Sequence, residues 1–307
     1  MGASVTYRWR DGALEPLDWC DPTAVRVAAA DSWLVDEGRA LAIDLHRARF
    51  TDAVRAASSA AGAAAAASAS SAAAGSGRPA ALGSTPAAAV TATTADAPGA
   101  ELDAFWDAVI ARIPRSGAWF PRVEWHAPSG ALVYREREAP ERRRSVVVAT
   151  APTDPRRHPS VKGPDLERMS ALRTAVQPTG AGEAVILSPL EPGGAGGFVV
   201  EGANSALVWW RGELLMGVPE EFDRVDSVTE RALVGLAGAL GVETHREAVT
   251  PAELDGCEVW TLSALHGPRI VTRWVDGPGL AELPGRLDLW RARLAALRRP
   301  LPGPPGA

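Results

Sequence analysis

The chain has 307 residues, 46% of them hydrophobic, which is enough to bury a sizeable core, and its length suggests two domains. A formal net charge of -5 and a pI near 5.6 exclude a global pull toward nucleic acid or anionic membrane, so neither is an expected partner. Two cysteines, Cys20 and Cys257, are too few for a disulfide framework, and neither they nor His126, His158 and His245 have metal-ligand spacing. Residues 1–10 lack an apolar leader segment and no long uncharged apolar run follows, so a cytoplasmic protein without a metal is expected.

In chain order, 25–35 reads as a strand, and Asp36-Glu37-Gly38 supplies turn chemistry before a second short strand at 40–43, a hairpin. Asp44 then caps a helix carrying Leu45, Ala48, Phe50 and Val54 on one face. His46 and Arg49, three apart, are neighbours on that helix; by themselves they read as a surface cluster. Residues 56–100 collapse into Ala, Ser, Gly, Thr and Pro, where 60–74 can extend the helix and the part from Gly75 reads as a flexible insert. Periodicity returns at Leu102, Phe105, Trp106, Val109 and Ile113, a helix closed by Pro114. Strands at 119–125, 131–135 and 145–149 complete a small α+β unit, and Arg142-Arg143-Arg144 reads as a solvated face.

A linker, 150–159, leads to Pro164 at the start of a helix with Leu166, Met169, Leu172 and Val176 on its buried face. Strands follow at 184–188, at a segment ending Phe198-Val199-Val200-Glu201, at 206–211 and at 214–216. Ser227 and Glu230 are spaced as a capping box for a helix running to Gly241. Further elements are a strand at 243–246, a short helix at 250–255, strands at 258–262 and 270–274, and a closing helix at 287–297. The expected organisation is a small domain over 1–150, a larger one over 151–298 and a flexible Pro/Gly tail over 299–307.

One residue stands apart chemically. Lys162, just before the helix that follows Pro164, is the only lysine, and every other basic position is arginine. A guanidinium stays protonated, whereas an amine can lose its proton and bond a carbonyl carbon, so a chain that retains a single amine has a position where that chemistry is available.

With Lys162, Glu201 and Arg49 in place, the chain resembles the class IV aminotransferases, the fold-type-IV pyridoxal phosphate enzymes that include branched-chain and D-amino-acid aminotransferases and aminodeoxychorismate lyase. Four stretches carry the likeness: Ile43-Asp44-Leu45-His46-Arg47-Ala48-Arg49, Lys162 ahead of its helix, Val199-Val200-Glu201-Gly202, and Glu258-Val259-Trp260 with the loop Ser263-Ala264-Leu265-His266-Gly267. Three departures accompany them. Ser227-Val228-Thr229-Glu230 stands where the family's phosphate loop usually reads Gly-Ile-Thr-Arg, Ala206 stands in place of an Asn, and a Tyr-Gly-Asp-Gly segment is missing before the first hairpin.

The resemblance implies an α/β fold with an α+β small domain and a larger α/β domain, D-amino-acid aminotransferase-like, with pyridoxal 5'-phosphate in the cleft between them. It implies Lys162 as the Schiff-base lysine, Glu201 facing the pyridine nitrogen, and Arg49 with Ser227, Val228 and Thr229 on the phosphate. The loop residues Ser263 and Ala264 complete the cofactor contacts, and His266 and Arg269 are candidates for substrate carboxylate. The implied activity is amino-group transfer between an amino acid and a 2-oxo acid, with aminodeoxychorismate lyase as the alternative, favoured by the 263–266 loop, and a non-catalytic binding module as the third. A homodimer is implied as well.

Overall fold

The computed structural model describes residues 4–17, 26–74, 97–189 and 197–303. Its first sheet opens with two strands that residue types alone did not suggest, β1 (Ser4–Arg10) and β2 (Ala13–Pro16). In β1, buried Tyr7 and Trp9 alternate with Arg8 and Arg10, a period-2 pattern in which each inward aromatic is followed by a cation. With β3 (Arg26–Ser32), β7 (Arg122–Ala127) and β8 (Ala131–Arg137) they form an antiparallel sheet in the order β2-β1-β8-β7-β3.

Two helices cover one face of this sheet. The first, α1 (Ile43–Ala74), runs on through the alanine run as expected, and α2 (Ala97–Arg112) begins inside the stretch read as insert. The segment 75–96, read as flexible, lies outside the described residues. Phe50 and Val54 of α1 and Phe105, Trp106 and Val109 of α2 interlock with Trp9, Trp33 and Trp125 to make one core. The short strands β4 (Val35–Asp36) and β5 (Arg39–Ala40) form the predicted hairpin around Glu37 and Gly38, whose φ values of 49° and 68° are those a two-residue turn of this hand demands. Glycine adopts that conformation freely; Glu37 reaches it at a cost.

β6 (Ala118–Trp119) joins this hairpin on one side, and β17 (Arg299–Pro300) on the other. The tail expected to be flexible is therefore pinned through residue 301: Arg299 pairs with Ala40, the Leu301 amide donates to the Gly38 carbonyl at 2.9 Å, and Leu301 is buried in the first core. Residues 304–307 lie outside the described residues.

The second sheet has eight strands: β9 (Ser145–Thr150), β10 (Glu183–Leu187), β11 (Val199–Gly202), β12 (Ala206–Arg211), β13 (Leu214–Gly217), β14 (Thr244–Arg246), β15 (Glu258–Ser263) and β16 (Gly267–Val275). Their order is β11-β10-β9-β16-β15-β12-β13-β14, with β9 parallel to both β10 and β16. β9 thus joins this second sheet, although it lies within 1–150.

Both faces of this sheet are covered, so its central strands are apolar throughout instead of alternating. In β12, Leu207 and Trp209 pack to one side with Val146, Val199 and Trp274. Ala206, Val208 and Trp210 pack to the other, under α4 (Val228–Ala239) and α5 (Arg286–Ala296). The helix α3 (Leu166–Val176) buries Met169, Leu172 and Val176 against Ile186 of β10. Among the described residues, nine tryptophans are buried in these cores.

Candidate active site

Lys162 sits in the loop that leaves the carboxyl end of β9 and enters α3. That loop is held at both edges. On one side, the Asp165 carboxylate accepts the backbone amides of Arg157 and His158 at 2.8 and 2.7 Å and the Arg168 guanidinium at 3.1 Å. On the other, the Lys162 carbonyl accepts the Ala30 amide of β3 at 2.8 Å.

Gly163 makes that approach possible. Its φ is +136°, and a Cβ placed there would lie 2.7 Å from the Ala30 nitrogen and 2.8 and 2.9 Å from Ala29 carbon atoms, all of them backbone. Gly163→Ala is therefore expected to push the loop off β3 and lower stability by about 2–3 kcal/mol. Cofactor capture should weaken although the amine remains, an outcome that urea unfolding and a cofactor titration would register.

The Lys162 side chain faces a cleft whose wall also holds Arg49, Glu201, Ser227, Val228, Thr229, Ser263 and Ala264, so the structure gathers all eight residues expected to touch the cofactor. Burial pulls the Lys162 amine down to about 8; Arg49 adds to the effect, and Asp31 and Glu201 oppose it. Glu201, at the end of β11, is pushed up to about 7 by burial against the opposing pull of Arg156 and the Val225 amide.

Arg156 had no sequence signal. Its Nη1 donates to Glu201 Oε1 at 2.7 Å and to the Asp223 carbonyl at 2.9 Å, while Nε and Nη2 grip Asp154. It is therefore the residue that aims the Glu201 carboxylate.

Arg49 is likewise organised by a residue that sequence reading passed over. Asp31 of β3 is fully buried and takes Arg49 Nε and Nη2, each at 2.8 Å, together with His46 Nδ1 at 2.8 Å. Burial works against its charge, yet Arg49 and His46 hold its carboxyl far below the usual carboxylate range. The His46–Arg49 pair is thus no surface cluster: His46 is 2% exposed, and both side chains converge on one carboxylate. Arg49 Nη1 donates to the Asp226 carbonyl at 2.6 Å, fixing its guanidinium beside the start of α4.

At that helix start, Ser227 Oγ accepts the Glu230 amide at 3.2 Å, which is half of the expected capping box. The other half is absent because the Glu230 carboxylate is drawn away. Arg224 holds it through two bonds of 2.6 and 2.8 Å, and Arg246 adds a third at 3.1 Å. The carboxylate that replaces the family's arginine is neutralised, and the first-turn amides of Val228 and Thr229 keep the positive end of the helix facing the cleft.

Two expectations for substrate contact separate. His266 lines a neighbouring cavity, where its Nδ1 accepts the Arg143 amide at 3.2 Å. Arg269 lies outside both linings: 6% exposed, it pairs with buried Glu183 at 3.4 Å, and its Nε has no partner. Its guanidinium pairs inside the fold and lines neither cavity. No group of three or more potential metal ligands occurs among the described residues, and none of their helices is long and apolar enough to cross a membrane.

An amine, a carboxylate, and a guanidinium beside a helix N-terminus in one cleft suit a phosphorylated aldehyde with a basic ring nitrogen. Residues 28–274 match the family profile described as Amino-transferase class IV. The chain belongs to the class IV aminotransferases. These are fold-type-IV pyridoxal phosphate enzymes, the fold and cofactor class that the resemblance implies, and Lys162, Glu201 and Arg49 beside the α4 start fit that cofactor.

Solved structures agree on the fold. A hypothetical aminotransferase from Mycobacterium tuberculosis, in its pyridoxal phosphate-bound form, superposes with a TM-score of 0.65 at 18% identity, covering 96% of this chain and 98% of that one. The branched-chain amino acid aminotransferase of Escherichia coli gives 0.65 at 12% identity over 96% and 94% of the two chains. A provisionally named 4-amino-4-deoxychorismate lyase from Legionella pneumophila gives 0.63 at 11% over 89% and 91%. No curated protein matches the sequence.

Proposed function

We propose that this class IV aminotransferase moves an amino group between an amino acid and a 2-oxo acid, with Lys162 as the residue that bonds the cofactor and then carries the proton. The supporting observation is the placement of the only lysine, clamped to β3 through Gly163, in the wall of the cleft that also holds Glu201 and Arg49. When bound, pyridoxal phosphate supplies an electron sink for the carbanion left when the substrate carbon loses a proton.

The chain's own groups do the rest. Lys162, drawn down to about 8, has a neutral fraction at physiological pH and can accept and return a proton at the reacting carbon. Glu201, aimed by Arg156, offers its carboxylate to the ring nitrogen. Arg49 and the amides of Val228 and Thr229 hold the phosphate, so the ring is positioned from both ends.

The same-family lyase is the second reading, supported by Ser263 and Ala264 of the Ser263-Ala264-Leu265-His266 loop lining the cleft. The M. tuberculosis relative was also solved with alpha-ketoglutarate and PMP bound, and that favours the transaminase reading here. Product analysis decides. Turnover that requires a 2-oxo acid supports amino transfer, whereas pyruvate released from aminodeoxychorismate without an acceptor supports the lyase. The same reading carries a homodimer in the cytoplasm, for which sedimentation of the purified protein is the direct check of assembly.

A pH profile tests the lysine assignment separately. Loss of the Lys162 proton exposes the nucleophile, so the rate of cofactor capture by the cofactor-free protein should rise as pH increases and level off above about 8. A profile flat between pH 6 and 9 would remove Lys162 from the role.

A further inference from the structure

Beside the cofactor cleft lies a second cavity of about 460 Å³, and His46, Thr229, Ser263 and Ala264 form a wall common to both. Its remaining walls come from the β4–β5 hairpin, the segment before β9, the β15–β16 turn and α5. Among the described residues, three arginines line it, Arg142, Arg291 and Arg298, and one carboxylate, Asp36. Asp36 Oδ2 pairs with Arg142 at 3.0 Å and Arg298 at 2.8 Å, which leaves positive charge in excess.

The donors there are directed. Arg291 is anchored through Nη1 to the carbonyls of His266 and Pro268, which frees the rest of its fork. His266 is neutral at pH 7, because burial and the arginines around it draw it down to about 4. Since its Nδ1 accepts the Arg143 amide, the ring proton sits on Nε2, which makes the ring a donor. A concave wall with net positive charge, forked donors and, among the described residues, no acidic lining residue beyond Asp36 matches a compact, doubly charged anion. It has no place for a cation.

We propose that this cavity is a binding site for a small dianion, a dicarboxylate or a phosphate, held by Arg142, Arg291, Arg298 and His266 as a ligand separate from the cofactor. The ligand sits behind the Thr229 and Ser263 wall and reaches the protein without entering the cofactor cleft.

The test is calorimetry on the protein saturated with pyridoxal phosphate, so that the cofactor's own phosphate site is filled. The probes are inorganic phosphate and succinate, with acetate as the monoanion reference at matched ionic strength. Saturable binding of at least one dianion, about tenfold or more tighter than acetate, is expected. Arg142→Ser should weaken it by about tenfold, and Arg143→Ser should change it less than about twofold, since that substitution removes the same charge one residue away and leaves the amide that holds His266. Whichever of phosphate or succinate binds more tightly identifies the acid group. Absence of saturable binding for both dianions overturns the proposal, and so does binding that Arg142→Ser leaves intact or that both variants weaken equally.

Discussion

Replacing Lys162 by alanine should lower turnover by on the order of 10⁴-fold, because one side chain is asked both to bond the cofactor and to carry the proton. Borohydride treatment of wild type should fix the cofactor on the peptide containing Lys162, and the variant should retain none. Lys162→Arg should fail equally: the guanidinium preserves the charge but never loses its proton. Stability should move the other way. The Lys162 amine titrates at about 8 in the fold against 10.5 when exposed, so the native state carries a penalty that is complete below pH 8 and disappears as pH rises through 10.5. The alanine variant should therefore be no less stable than wild type at pH 7 while being inactive, a combination that misfolding would not produce. An alanine variant with wild-type kcat in a steady-state transamination assay would end the assignment.

Asp31→Ala should give the largest loss of stability, about 3–5 kcal/mol by urea unfolding. The Asp31 carboxylate is 0% exposed and is the counter-charge for Arg49 and the partner of His46, so its removal leaves a guanidinium and an imidazole unbalanced in the interior. Cofactor affinity should fall with it, since Arg49 loses the two bonds that orient its fork beside α4. The sign with pH follows from the depressed native pKa. Asp31's contribution is fully present above 3.8, the ordinary value, and is lost as pH falls from there toward the native value. Asp31→Asn should therefore be destabilised at pH 7 and lose less than wild type on acidification. If Asp31→Ala unfolds at the wild-type urea midpoint, Arg49 does not depend on this carboxylate.

By itself, the sequence determined the elements whose register is local. The spacing of Met169, Leu172 and Val176 fixed α3, that of Phe105, Trp106 and Val109 fixed α2, and the Glu37-Gly38 turn fixed the β4–β5 hairpin. Helical and strand periods report which face is buried, and that information lies within a dozen residues. The lone lysine and the motifs around Arg49 and Glu201 were legible for a similar reason: each is a residue type in a short, fixed context.

Only the tertiary structure decided what those residues meet. Asp31 lies 18 positions from Arg49 and Arg156 lies 45 from Glu201, distances over which no local periodicity carries information. Glu230 reads as a capping-box residue, yet Arg224 and Arg246 converge on it, and Arg269 pairs with Glu183 across 86 positions. The tail over 299–307 reads as flexible because its composition suits a loop, yet Arg299 and Pro300 at its start pair with the β5 edge. A charge's effect depends on which neighbours share its burial, and here packing of β3, the loop after β9 and the start of α4 assembles those neighbours from segments far apart in the chain.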